Sequence, residues 1–344
     1  MKKIAVLGAS GFIGSRTIEI LEPESEYNIY PIVRRTSKTY LISRLGLNYG
    51  IADATNYSEL CSVFDRCDTV IHAILGRPWI IQKSIVAAYQ AAQKMGVRRL
   101  VYLSTAAVHG LNILSGTDEN SPLHIRHPLA YCNAKVKAER KLLELRDRGS
   151  TEVVILRPSI VFGCGDIWVT AFANSLILGK AFLVNGGQGI CNSIYVDNLV
   201  QAIKLAIAAP HADRQAFLVA DSERVVWADV YRPIAEALRF NFELIPSIEC
   251  YNDKFTVKER ILEILRSSEL LYQMQHFLLR SSPAVANQQS QPQLVLTSQM
   301  ASLYQCQYKF SIEKAKIVLG YEPAISFSQA IQDTANWLSA QIKP

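Results

Sequence analysis

Charge is scarce in this chain and nowhere concentrated. Charged residues make up 19% of its 344 positions and apolar residues 49%, a balance that excludes global disorder. The 36 basic and 30 acidic residues leave a net +6, yet no basic run forms a stripe for nucleic acid. The excess suits an anionic small molecule instead. Long apolar runs are also missing: no stretch reaches the roughly 18 residues of a membrane span. The seven cysteines, at 61, 67, 132, 164, 191, 250 and 306, have neither zinc-ribbon nor redox-pair spacing. No metal site or disulfide framework is expected, and reduced thiols in a cytoplasmic protein are the plain reading. The start Met1-Lys2-Lys3-Ile4 leads into an apolar run that glycines break at once, so no secretion signal is expected.

What is present begins at the amino terminus. Ile4-Ala5-Val6-Leu7 reads as a strand, and Gly8-Ala9-Ser10-Gly11-Phe12-Ile13-Gly14 as a turn opening a helix. Gly8, Gly11 and Gly14 let the turn tighten and let backbone approach a pyrophosphate at the helix amino terminus. The strand before and the amphipathic helix after supply the context such spacing needs.

Strand and helix periods then alternate. Strands are expected at Lys3–Leu7, Asn28–Val33, Thr69–His72, Leu100–Ser104 and Glu152–Leu156, with helices at Phe12–Leu21, Tyr57–Phe64, Ile80–Met95 and Leu129–Arg148. The pattern predicts an α/β fold, a doubly wound parallel sheet of Rossmann type covered on both faces. Residues 1–160 form the expected dinucleotide-binding core. Residues 161–344 form a mixed region, a smaller interleaved substrate lobe plus elements returning to the sheet. Helices are expected there at Val169–Leu178, Val196–Ile207, Trp227–Leu238, Ser311–Leu319 and Phe327–Ile342, and a strand at Ala216–Val219. Lys254–Arg280 reads as a helical stretch packed on the second lobe, with a lid or a partner or membrane surface as alternatives. The polar run near 281–293 is the expected mobile loop.

Tyr131 and Lys135 lie four apart in a helical stretch, so both share one face. An ammonium beside a phenol favours the phenolate, and a phenol so tuned can exchange a proton with an alcohol or carbonyl oxygen. Ser104 and Thr105 stand at the carboxyl end of a strand, the side on which open parallel sheets bind ligands.

On these motifs the chain resembles the extended short-chain dehydrogenase/reductase family, which includes nucleotide-sugar epimerases and dehydratases and hydroxysteroid dehydrogenases. Gly8, Ser10, Gly11, Phe12, Ile13 and Gly14 match its cofactor turn. Asp53, followed by Ala54, matches the acidic residue at the adenine ring, and Val70-Ile71-His72-Ala73 the strand beneath the cofactor. Ser104-Thr105-Ala106-Ala107-Val108-His109-Gly110 resembles the active-site loop. There the catalytic hydroxyl lies five residues before the glycine, which selects Thr105. Tyr131 and Lys135 match the Y-x-x-x-K acid/base pair, the lysine also gripping the nicotinamide ribose. Arg157-Pro158-Ser159-Ile160-Val161-Phe162-Gly163 resembles the stretch bordering nicotinamide and substrate, so Pro158 and Ile160 join the expected cofactor contacts. Asn192-Ser193-Ile194-Tyr195-Val196-Asp197-Asn198-Leu199 and Leu319-Gly320-Tyr321-Glu322-Pro323 resemble two later signatures. The resemblance implies a homodimer built on the helices Ile80–Met95 and Leu129–Arg148.

A NAD site usually has an acid after the second strand; here Arg34 and Arg35 stand instead. Two guanidinium groups suit a 2′-phosphate, so NADP(H) is expected, with NAD as the alternative. Ala106-Ala107 after Thr105 replace the Asp-Glu of the family's dehydratases, and His109 replaces the tyrosine of many sugar-nucleotide enzymes. The expected activity is a dehydrogenase or ketoreductase acting on a small or medium-sized, partly apolar substrate. A nucleotide-sugar 4-epimerase holding NAD is the runner-up. A cofactor-bound scaffold without turnover is a third reading, disfavoured because Tyr131 and Lys135 are both retained.

Overall fold

The computed structural model describes residues 1–35, 40–123, 126–250, 269 and 297–341. The first half runs β1 (Lys2–Leu7), α1 (Phe12–Leu21), β2 (Tyr27–Val33), α2 (Tyr40–Arg44), β3 (Gly50–Ile51), α3 (Tyr57–Val63), β4 (Thr69–His72), α4 (Pro78–Lys94), β5 (Arg99–Leu103), α5 (Ala130–Asp147) and β6 (Glu152–Pro158). The second half adds β7 (Ile160–Phe162), α6 (Ile167–Ile177), β8 (Leu183–Val184), β9 (Ser193–Tyr195), α7 (Val196–Ala208), β10 (Gln215–Val219), α8 (Trp227–Ala237) and β11 (Ser247–Ile248). After the undescribed stretch follow α9 (Ser298–Tyr304), α10 (Glu313–Leu319) and α11 (Phe327–Gln341). Lys254–Arg280, apart from Glu269, and the run near 281–293 lie outside the described residues.

Seven parallel strands form the main sheet in the order β10-β6-β5-β4-β1-β2-β3. The connection leaves β1 toward β2 on one side and returns to β4 on the other. The crevice at the carboxyl ends of β1 and β4 is therefore the topological switch point of a Rossmann sheet. Alternation along the strands assigns the faces. Ile4, Val6, Val101 and Val154 pack in one apolar cluster with α1 and α7 residues such as Ile18 and Ile203. Ala5, Leu7, Leu100 and Val153 pack in the other with Leu60, Ile85 and Leu142 of α3, α4 and α5. A third cluster, around Phe172, Trp227, Tyr231 and Tyr304, forms the core of the smaller lobe. Phe172 lies stacked on Tyr231, ring centroids 3.9 Å apart.

The elements expected from periodicity are present with ends shifted by a few residues. Short pieces lacked a period to reveal them: α2, β3, β7, β8, β9 and β11 span between two and five residues. β10 returns to the sheet beside β6, as Ala216–Val219 suggested. Gly320 ends α10 in a left-handed conformation at φ 69°. No described helix is long and apolar enough to cross a membrane.

Two arginines tie the return of α7 to the sheet. Arg99, 1% exposed, donates through Nη1 to the carbonyls of Ala206 (2.7 Å) and Ile207 (3.0 Å), while its Nε donates to Glu152 at 2.8 Å. Arg98 adds a bond to Ile207 O at 3.2 Å. Cations here satisfy orphan carbonyls and the negative end of the helix dipole. Arg99→Met leaves the Ala206 carbonyl without this donor and is expected to lower unfolding free energy by about 3 kcal/mol, read as a shifted urea midpoint at unchanged m-value.

Candidate active site

Two cavities share a wall above the carboxyl edge of the sheet. The first, about 740 Å³, runs along the glycine turn and is lined by Gly8, Ser10, Gly11, Phe12 and Ile13. Arg34 and Arg35 at the end of β2, and Asp53 and Ala54 after β3, line its far end. The second, about 480 Å³, holds Ser104, Thr105, Tyr131, Lys135, Pro158 and Ile160. Ile13, Ala73, Ile74, Leu75, Ile167 and Trp168 border both.

The turn suits a dinucleotide on its own geometry. Gly8 adopts φ +88°, and an added Cβ would meet the Ala73 carbonyl at 2.6 Å. A Cβ on Gly14 would stand 2.2 Å from the Gly8 carbonyl. Gly11, at the amino end of α1, offers no side-chain cap, and the first turn carries no acid. Its N–H groups and positive dipole end remain for an anion. Arg16 on α1 is turned toward α7. It grips Asp197 at 2.6 and 2.7 Å and joins α1 to α7.

Two expected cofactor residues lie outside the lining. Gly14 acts through the space it leaves beneath Gly8. His72 is fully buried, its Nε2 3.1 Å from Ser84 Oγ on α4. Alternation along β4 turns this side chain beneath the cleft toward α4, outside both cavity linings. Burial first, then the Lys135 charge, holds its imidazole down to about 3, hence neutral. Phe172 and Ile81 are core, while Trp79 and Ile80 line the first cavity.

Thr105 caps the short 3₁₀ turn Ala106–His109, its Oγ1 accepting from Ala107 N at 3.2 Å. The Tyr131 phenol lines the same cavity, and the Thr105 hydroxyl favours its ionised form. Burial, with Cys132 adding to it, holds that phenol well above the ordinary tyrosine value, against the pull of Thr105. Lys135 is 2% exposed. Its Nζ donates to the Leu103 carbonyl at 2.6 Å and lies 4.8 Å from the Tyr102 ring centre. Burial draws the ammonium down to about 7, and the Glu139 carboxylate opposes that fall. Helical spacing thus brings Tyr131 and Lys135 to one cavity as expected, while burial of the phenol opposes its ionisation.

Ser104 does not present a free hydroxyl to the cavity; it donates to Glu139. Asn133 on α5 closes the preceding loop. Its side chain accepts from His127 N at 2.8 Å and donates to His127 O at 2.7 Å. Asn192, Leu303, Cys306 and Phe310 add a part of the wall from distant segments. Nothing in the local sequence marks Leu303, Cys306 or Phe310, because distant segments meet only in the fold. Asn192 fixes that wall, donating to Tyr308 O at 3.0 Å and accepting from Phe310 N at 3.0 Å.

Comparison with known proteins agrees with this geometry. Residues 4–220 match the model of the NAD dependent epimerase/dehydratase family. The chain belongs to this family, within the extended short-chain dehydrogenases/reductases. It is similar to a UDP-glucose 4-epimerase of Vibrio cholerae, 27% identical over 73% of this chain and 80% of that protein. A decarboxylating sterol-4-alpha-carboxylate 3-dehydrogenase of Candida albicans is 23% identical over 99% of both. Among solved structures, a dTDP-glucose 4,6-dehydratase of Bacillus anthracis in complex with NAD superposes with TM-score 0.73 at 16% identity, over 99% of this chain and 98% of that one. The protein is thus an oxidoreductase-type enzyme of an NAD(P)-binding family.

Gly14→Ala forces a methyl group against the Gly8 carbonyl. It is expected to cost about 1–3 kcal/mol of stability and to weaken dinucleotide binding, checked by thermal melts with and without added cofactor.

Proposed function

We propose that this enzyme is an NADP(H)-dependent dehydrogenase or ketoreductase. It interconverts a secondary alcohol and a ketone on a small or medium-sized, partly apolar substrate. The observation carrying this reading is the cavity beside Thr105 and Tyr131, walled by Leu75, Leu111, Ile167, Trp168, Ile190 and Phe310. Such a wall gains free energy by covering hydrocarbon, while a few polar groups at one end fix orientation.

The bound nicotinamide supplies the hydride acceptor or donor. Thr105 orients the substrate oxygen. Tyr131, protonated through burial, gives that oxygen its proton during reduction and takes it back in the reverse direction. Lys135 grips the nicotinamide ribose and keeps positive charge near the phenol. Gly8, Ser10, Gly11, Phe12 and Ile13 cradle the pyrophosphate, Asp53 and Ala54 border the adenine, and Ala73, Pro158 and Ile160 flank the nicotinamide. Arg34 and Arg35, both exposed at the end of β2, meet the 2′-phosphate. The mutually packed helices α4 and α5 provide the surface for a homodimer.

Tyr131→Phe is expected to reduce turnover about 10²- to 10⁴-fold while leaving NADPH affinity near that of the parent. Loss of binding together with turnover would overturn the acid/base role. Arg34→Ala/Arg35→Ala is expected to weaken NADPH about 10- to 100-fold and leave NADH unchanged in fluorescence titrations. NAD that survives purification and resists exchange would favour epimerisation of a nucleotide sugar instead.

A further inference from the structure

A buried ion pair lies directly behind the Thr105–Tyr131–Lys135 group. Glu139, 1% exposed, stands four residues beyond Lys135 on the same face of α5. Arg157 on β6, 5% exposed, grips its carboxylate with Nε at 3.2 Å to each oxygen and Nη2 at 2.7 Å to Oε2. The remaining donor on Glu139 is the Ser104 hydroxyl. Arg157 Nη1 donates to His109 Nε2 at 3.1 Å and to the Glu119 carbonyl at 3.2 Å.

These contacts bracket Thr105. Ser104 immediately precedes it, and His109 ends the 3₁₀ turn that Thr105 caps. One carboxylate and one guanidinium therefore hold both ends of the segment that carries the Thr105 hydroxyl into the cavity lined by Tyr131. The same carboxylate faces Lys135. Two charges taken so far from water seldom gain net stability over a well-packed apolar pair, so stability alone does not account for them.

We propose that Glu139, clamped by Arg157, is a positioning residue. It keeps the Lys135 side chain charged and the Thr105 hydroxyl aligned on Tyr131. The claim rests on the acid/base reading of Tyr131 and Lys135 only for its effect on turnover. The groups facing Lys135 are Tyr131 and Glu139 on α5, Tyr102 on β5 and His72 on β4. Tyr102 and Tyr131 are held in the phenol form by burial, and His72 is neutral. Glu139 is therefore the one among these that supplies negative charge to the ammonium.

The test is nitrogen-15 NMR of the lysine side chains in the full chain without added cofactor, with Lys135→Met assigning the resonance. Glu139→Gln is expected to lower the pH at which Lys135 loses its proton by about one pH unit or more. Glu139→Asp, which keeps the charge, should restore most of it. Because removing Glu139 alone strands Arg157, Glu139→Leu/Arg157→Met replaces the pair as a unit and is expected to fold and show a smaller fall in the same direction, since the guanidinium charge leaves with the carboxylate. In turnover, loss of the ammonium at lower pH moves the high-pH limb of kcat downward in Glu139→Gln, while substrate KM stays within about twofold. An unmoved Lys135 titration in either folded variant overturns the proposal. A moved titration with no oxidoreductase turnover in the parent chain leaves the proposal standing and sinks the assignment of function.

Discussion

Desolvation of one face of α5 is the constraint around which the site is built. Tyr131, Lys135 and Glu139 recur at helical spacing on that face, and β5 covers it. Burial holds the phenol protonated and makes a charged lysine costly. The Leu103 carbonyl and the Tyr102 ring are what the fold offers the ammonium in place of water. A carboxylate in the same dry region needs a partner of its own, which Arg157 supplies from β6. Helix and sheet are thus locked together by the same groups that set proton affinity at the cavity.

The cleft divides its chemistry by charge. Its cofactor end has glycine backbone, an uncapped helix start and Arg34 and Arg35, all suited to phosphates. Its other end is aliphatic and aromatic around a few hydroxyl and amine groups. The shared border at Ala73, Ile74 and Leu75 is where a cofactor ring and a substrate carbon would meet out of water. A low-dielectric junction strengthens the polar interactions within it.

Six of the seven strands of the main sheet, all but β3, were legible because each carries apolar residues on both faces and each helix carries one stripe. Lys2–Leu7, Thr69–His72 and Phe12–Leu21 needed no tertiary information. The short strands β7, β8, β9 and β11 were not legible, since two or three residues carry no period. His72 shows another limit. Its place at the end of a strand put it near the cofactor, but strand alternation turned its ring toward Ser84.

Local order alone determined the dinucleotide turn, the Tyr131–Lys135 spacing and the arginines after β2, because each depends on residues close in the chain. The tertiary structure decided the protonation of Tyr131, since burial comes from segments far away. It also decided that Ser104 serves Glu139, that Arg16 binds Asp197, and that Cys306 and Phe310 wall the second cavity. Each of those outcomes joins residues far apart in sequence, and only packing sets the distance between them.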